Sequence, residues 1–318
     1  MSEERKVDAE LAGARLDKAV VALWPGASRA KVKNAIIDRK IRVNGFILPK
    51  GGVVNEGDVI TIIPSDVKAG DAECEADPNA KLTVLHESKE ILVVEKPAGM
   101  PTAPLRSGEM GTLANALLGH YPELAGIGHS PREPGLVHRL DTDTSGVLVV
   151  ARNTDAFEEL AAALKSEKIE KTYVVVCESE GLPDEGTIEF PIANHPKDKR
   201  RVYPCIHPRD VMRNEPRPAL TEYEVKERGP RFALVEVRIK KALRHQIRAH
   251  FAAIDHPLVG DRLYGGPELP GLSRHALHAS RVRWECSDPA FRFDVSSEIP
   301  KELVDMVSAA PGGPRHGT

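Results

Sequence analysis

No apolar run in this 318-residue chain approaches the roughly 18 residues needed to cross a bilayer; the longest are short, such as Val147–Ala151. A secretory leader is missing too, since the first ten residues, MSEERKVDAE, are polar and acidic. The four cysteines (Cys74, Cys177, Cys205, Cys286) are far apart and form no CxxC pair, which excludes a zinc site or a disulfide framework and reads as reduced thiols. The expected setting is therefore a soluble protein of the cytoplasm. There is no Gly-rich phosphate loop, no nucleophile elbow and no HExxH helix, so nucleotide hydrolysis, serine-hydrolase and zinc-protease chemistry have no support. Strong net charge is lacking as well: 44 Lys and Arg face 47 Asp and Glu, for −3 overall. That argues against a wholesale polyelectrolyte binder, although an average can hide local fields. What the chain does have is 41% hydrophobic residues for a core, 29% charged residues for a solvated surface, and the length of about two domains.

The local fields are there. Nine Lys and Arg lie between Gly13 and Ile63 against four acids. The sign then reverses at Asp71, Glu73, Glu75 and Asp77, and Pro78 closes that stretch. A basic block followed by an acidic, Pro-containing segment reads as a small domain and its linker. Ser28 suits the cap of a helix over 29–39, whose apolar Val32, Ala35 and Ile36 fall at helical spacing while Arg29, Lys31, Lys33 and Arg39 decorate the rest. Asn44-Gly45 predicts a tight hairpin turn, and Glu56-Gly57-Asp58 a second turn feeding a strand at 59–63. A basic helix face on a small domain fits nucleic-acid binding, but charge alone favours a solvated charged helix on an ordinary small domain.

Order and spacing separate these readings. GARLDKAV, then SRAKVKNAIIDRKIRVNG, then EGDVITI resemble the alpha-L RNA-binding domain of a ribosomal small-subunit protein and several RNA-modifying enzymes. The resemblance implies that Arg15, Ser28, Arg29, Lys31 and Lys33 lie against RNA phosphates.

From Leu82 onward the pattern is larger and mixed. Apolar strands are predicted at 91–95, 147–151, 172–177, 221–225 and 233–239. One helix is predicted over 155–168, with Asp155 and Glu158 as a capping box, and another from about His245 to Ile254. Without regular βαβ alternation, the fold class is α+β. The expected organisation is a flexible tail at 1–12, the small domain at 13–65, an acidic linker at 66–80, a large domain at 81–306 with a mixed, largely antiparallel sheet, and a disordered tail at 307–318.

The densest polar cluster is His138-Arg139-Leu140-Asp141-Thr142-Asp143-Thr144-Ser145-Gly146. It reads equally as a site at a strand end and as a loop bonding its own backbone. His245 and His250, five apart, point to different faces of a helix and make no metal pair. Lys197–Arg217 holds seven Lys and Arg against three acids, with Tyr203 among them, as a solvated loop or a phosphate groove.

LVHRLDTDTSGVLVVARN resembles the signature of the RluA family of RNA pseudouridine synthases. ILVVEKPAGMPT lies upstream of it, and KTYVVV, PALTEYEV, HQIRAHFAAIDHPLVGDRLYG and RHALHASRV follow in the family's order, covering about residues 82–303. The resemblance implies that Asp141 is the catalytic aspartate, Tyr173 the aromatic against the target base, Arg248 the basic partner of the aspartate, and Arg139 the side chain that holds the nucleotide out of its stack. It implies no metal, no cofactor and structured RNA as partner; the lack of long apolar runs implies no membrane partner, and a monomer is expected. Detaching uracil, turning it and rejoining it through carbon suits a carboxylate, which attacks the anomeric carbon or takes the neighbouring proton. Burial disfavours an ionised carboxylate and a nearby Arg offsets that. Flipping the base costs a few kcal/mol, of which stacking returns about 1–3 kcal/mol.

In one place the chain departs from the family: Ala242-Leu243-Arg244 stands where Gly-Arg-Thr is usual, with Arg244 or Lys241 the available substitutes. Family members with this N-terminal domain mostly act on large-subunit ribosomal RNA, which sets the first expectation; transfer RNA is the second. The rivals are a catalytically silent RNA-binding assembly factor and a metal-dependent hydrolase built on His138, Asp141 and Asp143.

Overall fold

In the computed structural model, which describes residues 2–27, 29–49, 51–67, 74–106 and 108–308, the chain divides into two units, Met1–Ala72 and Glu73–Thr318. In the first, β1 (Glu3–Lys6), β2 (Arg42–Val43) and β3 (Val59–Ile62) pair antiparallel in the order β1-β3-β2. Helices α1 (Leu16–Leu23), α2 (Arg29–Ile37) and the short α3 (Pro64–Val67) accompany them. Alternation along β3 buries Ile60 and Ile62 in a core with Leu16, Val20, Val32, Ala35 and Ile36. The Asn44-Gly45 turn has φ of 52° and 82°, the left-handed pair that a two-residue hairpin turn needs. Asn44 also donates to Asp58 Oδ1 and accepts from Val59 N–H, both at 2.8 Å, so the two turns read from the sequence are joined.

The second unit is built on a nine-stranded sheet among the described residues. Its strands are β4 (Thr83–Glu87), β5 (Ile91–Lys96), β6 (Ser145–Ala151), β7 (Glu170–Glu178), β8 (Glu185–Ile188), β11 (Thr221–Arg228), β12 (Phe232–Ile239), β13 (Leu277–Trp284) and β14 (Phe293–Ser296). A separate hairpin holds β9 (Ile192–Asn194) and β10 (Val202–Pro204). The helices are α4 (Leu113–His120), α5 (Thr154–Lys165), α6 (Pro208–Asn214), α7 (Gln246–Ala253) and α8 (Lys301–Ser308). The sheet order is β4-β5-β6-β13-β7-β12-β11-β8, with β14 also on β13. Every pairing is antiparallel except β6 with β13, which makes the class α+β with a largely antiparallel sheet. The parallel seam is tight: a Cβ on Gly146, at φ +116°, would sit 2.1 Å from the Ala279 carbonyl oxygen. Only glycine fits there.

Several expectations are corrected. Residues 1–12 are not all a loose tail: Glu3–Lys6 is an edge strand and Val7 is buried, because backbone pairing on an exposed edge tolerates polar side chains. Of the expected acidic linker at 66–80, residues 68–73 lie outside the described residues. Val67 closes the first core, while Cys74 is buried in the second unit, with its N–H on Pro131 O at 3.1 Å, and Asp77 N–H binds Asn115 O at 2.9 Å. At the other end Val307 is buried in α8, whereas 309–318 lie outside the described residues, as does Ser28. α2 ends at Ile37 and Arg39 is left-handed. The cap of α5 is Asn153, accepting from Ala156 N–H at 2.8 Å, two residues ahead of the expected capping box.

Candidate active site

Asp141 lies in the loop entering β6, and its four neighbouring carbonyls are all held. Thr102 Oγ1 donates to Leu140 O at 2.7 Å, and Thr144 N–H to Asp141 O at 3.1 Å. Thr142 O accepts from Lys96 Nζ and from Gly99 N–H, both at 2.9 Å, and Asp143 O accepts from Arg274 Nη1 at 3.4 Å. Lys96 is wholly buried at the end of β5 and also binds the carbonyls of Pro97 and Met100. Burial pulls its pKa down to about 8, against the upward pull of Asp143 and Asp141. Thr144 pairs with His275 Nε2 at 2.8 Å and Ser145 with His278 Nδ1 at 2.9 Å, which ties the loop to β13 and the residues just before it. A carboxylate on a loop fixed at every peptide keeps one position.

Across from it, α7 presents Arg248. Its Nη1 donates to Asp141 Oδ2 at 3.0 Å, while Nε and Nη2 fork onto Asp261 at 2.6 and 2.9 Å. Burial weakens the guanidinium charge, but Asp261 and then Asp141 more than offset that, so it titrates above the ordinary arginine value. Asp261 is 1% exposed. Tyr173, on β7, borders a narrow recess together with Arg139, Asp141, His245 and Arg248. Burial, with Asp141 adding to it, pushes the Tyr173 phenol well up, so the ring stays neutral. Arg139 is exposed at the rim and has no hydrogen bond or ion pair among the described residues. Its guanidinium is available to a ligand.

The recess opens into a cleft of about 1060 Å³ lined by ten Lys and Arg side chains and three Asp. Lys199 and Arg200 reach it from the connection between β9 and β10, so that part of the basic 197–217 stretch is a cleft wall. Arg244 does not take the place of an Arg at 243 in the recess; its Nη2 binds Lys199 O at 2.7 Å, strapping that connection. Leu243 packs into an apolar cluster with Ile192, Val202 and Ala249.

His138 accepts the Val149 N–H at Nε2, 3.0 Å away, and burial with the Lys171 charge pulls its pKa down to about 3. That imidazole serves the fold, and among the described residues no three His, Cys, Asp or Glu side chains converge as a metal site. His250 faces away from the cleft, between Thr221 Oγ1 and Phe190 O, each at 2.8 Å.

Asp141, Arg139, Tyr173 and Arg248 are thus brought together. Arg15, Lys31 and Lys33 belong to the first unit: Arg15 precedes α1 and forks onto Asp17 at 2.9 and 3.2 Å, Lys31 is half-buried and Lys33 exposed. Arg29 is the first residue of α2. Sequence reasoning weighed His245 only as a metal ligand and missed Asp261, Tyr264, Lys96 and Thr102. Asp261 sits in Gly260-Asp261-Arg262, which by itself reads as a turn.

The chain matches the family described as RNA pseudouridylate synthase over residues 90–253. It is 32% identical over 324 residues to a Haemophilus ducreyi protein named ribosomal large subunit pseudouridine synthase D, covering 97% of this chain and 94% of that protein. An Aquifex aeolicus protein named an uncharacterized RNA pseudouridine synthase is 37% identical over 254 residues, covering 79% and 77%. The solved structure of human RNA pseudouridylate synthase domain containing 1 shares the fold, with a TM-score of 0.52 at 24% identity over 77% of this chain and 99% of its own.

Proposed function

The chain belongs to the RNA pseudouridylate synthase family, and on that premise we propose that it converts uridines to pseudouridine in large-subunit ribosomal RNA, with Asp141 acting on the ribose of a flipped nucleotide. The observation that carries this is the Asp141–Arg248 contact of 3.0 Å at the floor of a strongly basic cleft. Ribosomal RNA is supported by the name of the Haemophilus ducreyi relative, which matches nearly the whole length of this chain.

The reaction breaks the bond between C1′ and N1 of uridine, turns the uracil, and joins C1′ to C5. The C5 proton leaves and N1 gains one, so there is no net redox change and no hydrolysis. Arg248 supplies a fixed positive charge beside the carboxylate. Tyr173 offers a neutral ring edge or face to the base, and Arg139, unpartnered at the rim, is suited to hold the vacated stack. Both routes for the carboxylate, attack at C1′ and removal of the neighbouring proton, fit this arrangement.

The first unit, over residues 13–65, is read as an alpha-L RNA-binding domain, with Arg15, Ser28, Arg29, Lys31 and Lys33 toward phosphates. Its support is the basic α2 and the joined pair of turns.

The test is pseudouridine mapping of total RNA by selective chemical labelling. Cells lacking the protein are compared with cells re-expressing wild type or Asp141→Asn. Defined sites lost and restored by wild type alone are the expected result. An unchanged map, with a ribosome-assembly defect rescued by both versions, would replace this reading with a non-catalytic assembly factor.

A further inference from the structure

We infer, on the reading that Asp141 performs the isomerisation, that His245 is a positioning residue, a neutral imidazole whose Nε2–H is aimed at the Asp141 carboxylate and whose tautomer is set by Tyr264. His245 precedes α7 in the left-handed conformation, φ 52° and ψ 20°, which turns its ring into the site, three residues ahead of Arg248. Nε2 lies 3.6 Å from Asp141 Oδ2, and Nδ1 lies 3.1 Å from the Tyr264 hydroxyl.

The hydroxyl decides where the proton is. Its oxygen already accepts the Val202 N–H at 2.9 Å, and Tyr264 is buried. The hydroxyl proton needs an acceptor, and among the described residues that acceptor is His245 Nδ1. Nδ1 is therefore bare and the imidazole proton sits on Nε2, facing Asp141. The opposite tautomer would strand a buried hydroxyl proton and turn a lone pair toward a carboxylate, two unfavourable contacts at once. The ring is neutral as well: burial pulls its pKa down to about 4, Asp141 and Asp261 pulling up and Arg248 and Arg244 pulling down.

Asp141 Oδ2 is thus flanked by a cation and by a neutral donor, while Oδ1 accepts no hydrogen bond among the described residues. The 3.6 Å separation is longer than a hydrogen bond, as in catalytic arrays that tighten only around substrate. As the carboxylate engages the ribose, His245 keeps its rotation in check.

Two measurements test this. Side-chain nitrogen NMR on the wild-type protein at neutral pH is expected to show His245 protonated at Nε2 only. In single-turnover assays, His245→Leu is expected to slow isomerisation by about tenfold to a hundredfold, the range for losing one hydrogen bond to a charged group, with RNA affinity unchanged. His245→Gln, whose amide N–H extends to the Nε2 position, recovers most of the rate. A proton on Nδ1, an imidazolium at neutral pH, or an unchanged rate in a folded Leu variant overturns the inference while leaving an active enzyme. A wild type with the Nε2 tautomer that makes no pseudouridine overturns the reading of the reaction, and this role with it.

Discussion

Arg248 grips Asp261 with two nitrogens, at 2.6 and 2.9 Å, and turns the third toward Asp141 at 3.0 Å. The guanidinium is thereby fixed by a second carboxylate that is 1% exposed. Asp261→Asn removes the countercharge but keeps the shape. It is expected to destabilise the protein by about 3 kcal/mol, since breaking the buried pair leaves Arg248 with Asp141 alone as countercharge, and to slow isomerisation at unchanged RNA affinity. Urea denaturation and single-turnover kinetics measure both. An Asn variant with wild-type rate would mean that packing alone aims Arg248.

Asp141→Asn is expected to abolish isomerisation with RNA affinity near wild type, because the carboxylate is one acid among many cations in the cleft. Filter binding beside a product assay separates the two. Retained turnover would remove Asp141 from the chemistry.

Acid should loosen the fold ahead of any effect on its carboxylates. Burial holds the imidazoles of His275 and His278 near 4 and that of His138 near 3, against 6.5 when exposed. Below pH 6.5 the unfolded chain takes up protons that the folded chain refuses. Stability is therefore full above that pH and is lost as pH falls toward 4, by up to about 1.4 kcal/mol per pH unit for each histidine. Urea midpoints at pH 7, 6 and 5 should fall in that order, and His275→Asn should flatten the slope. Equal midpoints would contradict it.

Gly146→Ala should cost at least about 3 kcal/mol, since both the positive φ and the Ala279 backbone exclude a methyl group. Loss of soluble protein or a lowered urea midpoint is the readout. A neutral effect would mean that the seam between β6 and β13 gives way easily.

Charge reversal at Arg29 and Lys33 on α2 is expected to weaken RNA binding and to lower the slope of log affinity against log salt by roughly 1.5, from about 0.7–0.9 for each phosphate no longer neutralised. Titrations at several salt concentrations check it, and an unchanged slope would take this helix out of the RNA interface.

What was legible in the sequence is the part carried by residue identity in short blocks. Asp141, Arg139, Tyr173 and Arg248 stand inside recognisable runs, and the strands at β5, β6, β7 and β12 announce themselves by apolar content. What supports them was not legible, because it acts through backbone atoms or across long separations. Lys96 and Thr102 hold carbonyls, for which any sequence supplies the acceptor. Glu75 attracted notice for its charge, yet its carbonyl is what Asn115 binds, at 2.7 Å. The strand at Glu3–Lys6 has no apolar face to betray it. Leu243 reads as a lost Arg in the sequence, and in the fold it is a core residue whose neighbour Arg244 took a structural task.

The loop that carries Asp141 is finished by partners far along the chain: Arg248 is 107 residues later, and His275 pairs with Thr144 across 131. Contacts of that separation form late, after the loop-closure entropy between them has been overcome. During synthesis the aspartate leaves the ribosome long before the strand that completes its surroundings. A nascent or truncated chain ending short of β13 therefore carries Asp141 without the His275 and His278 contacts that tie its loop down.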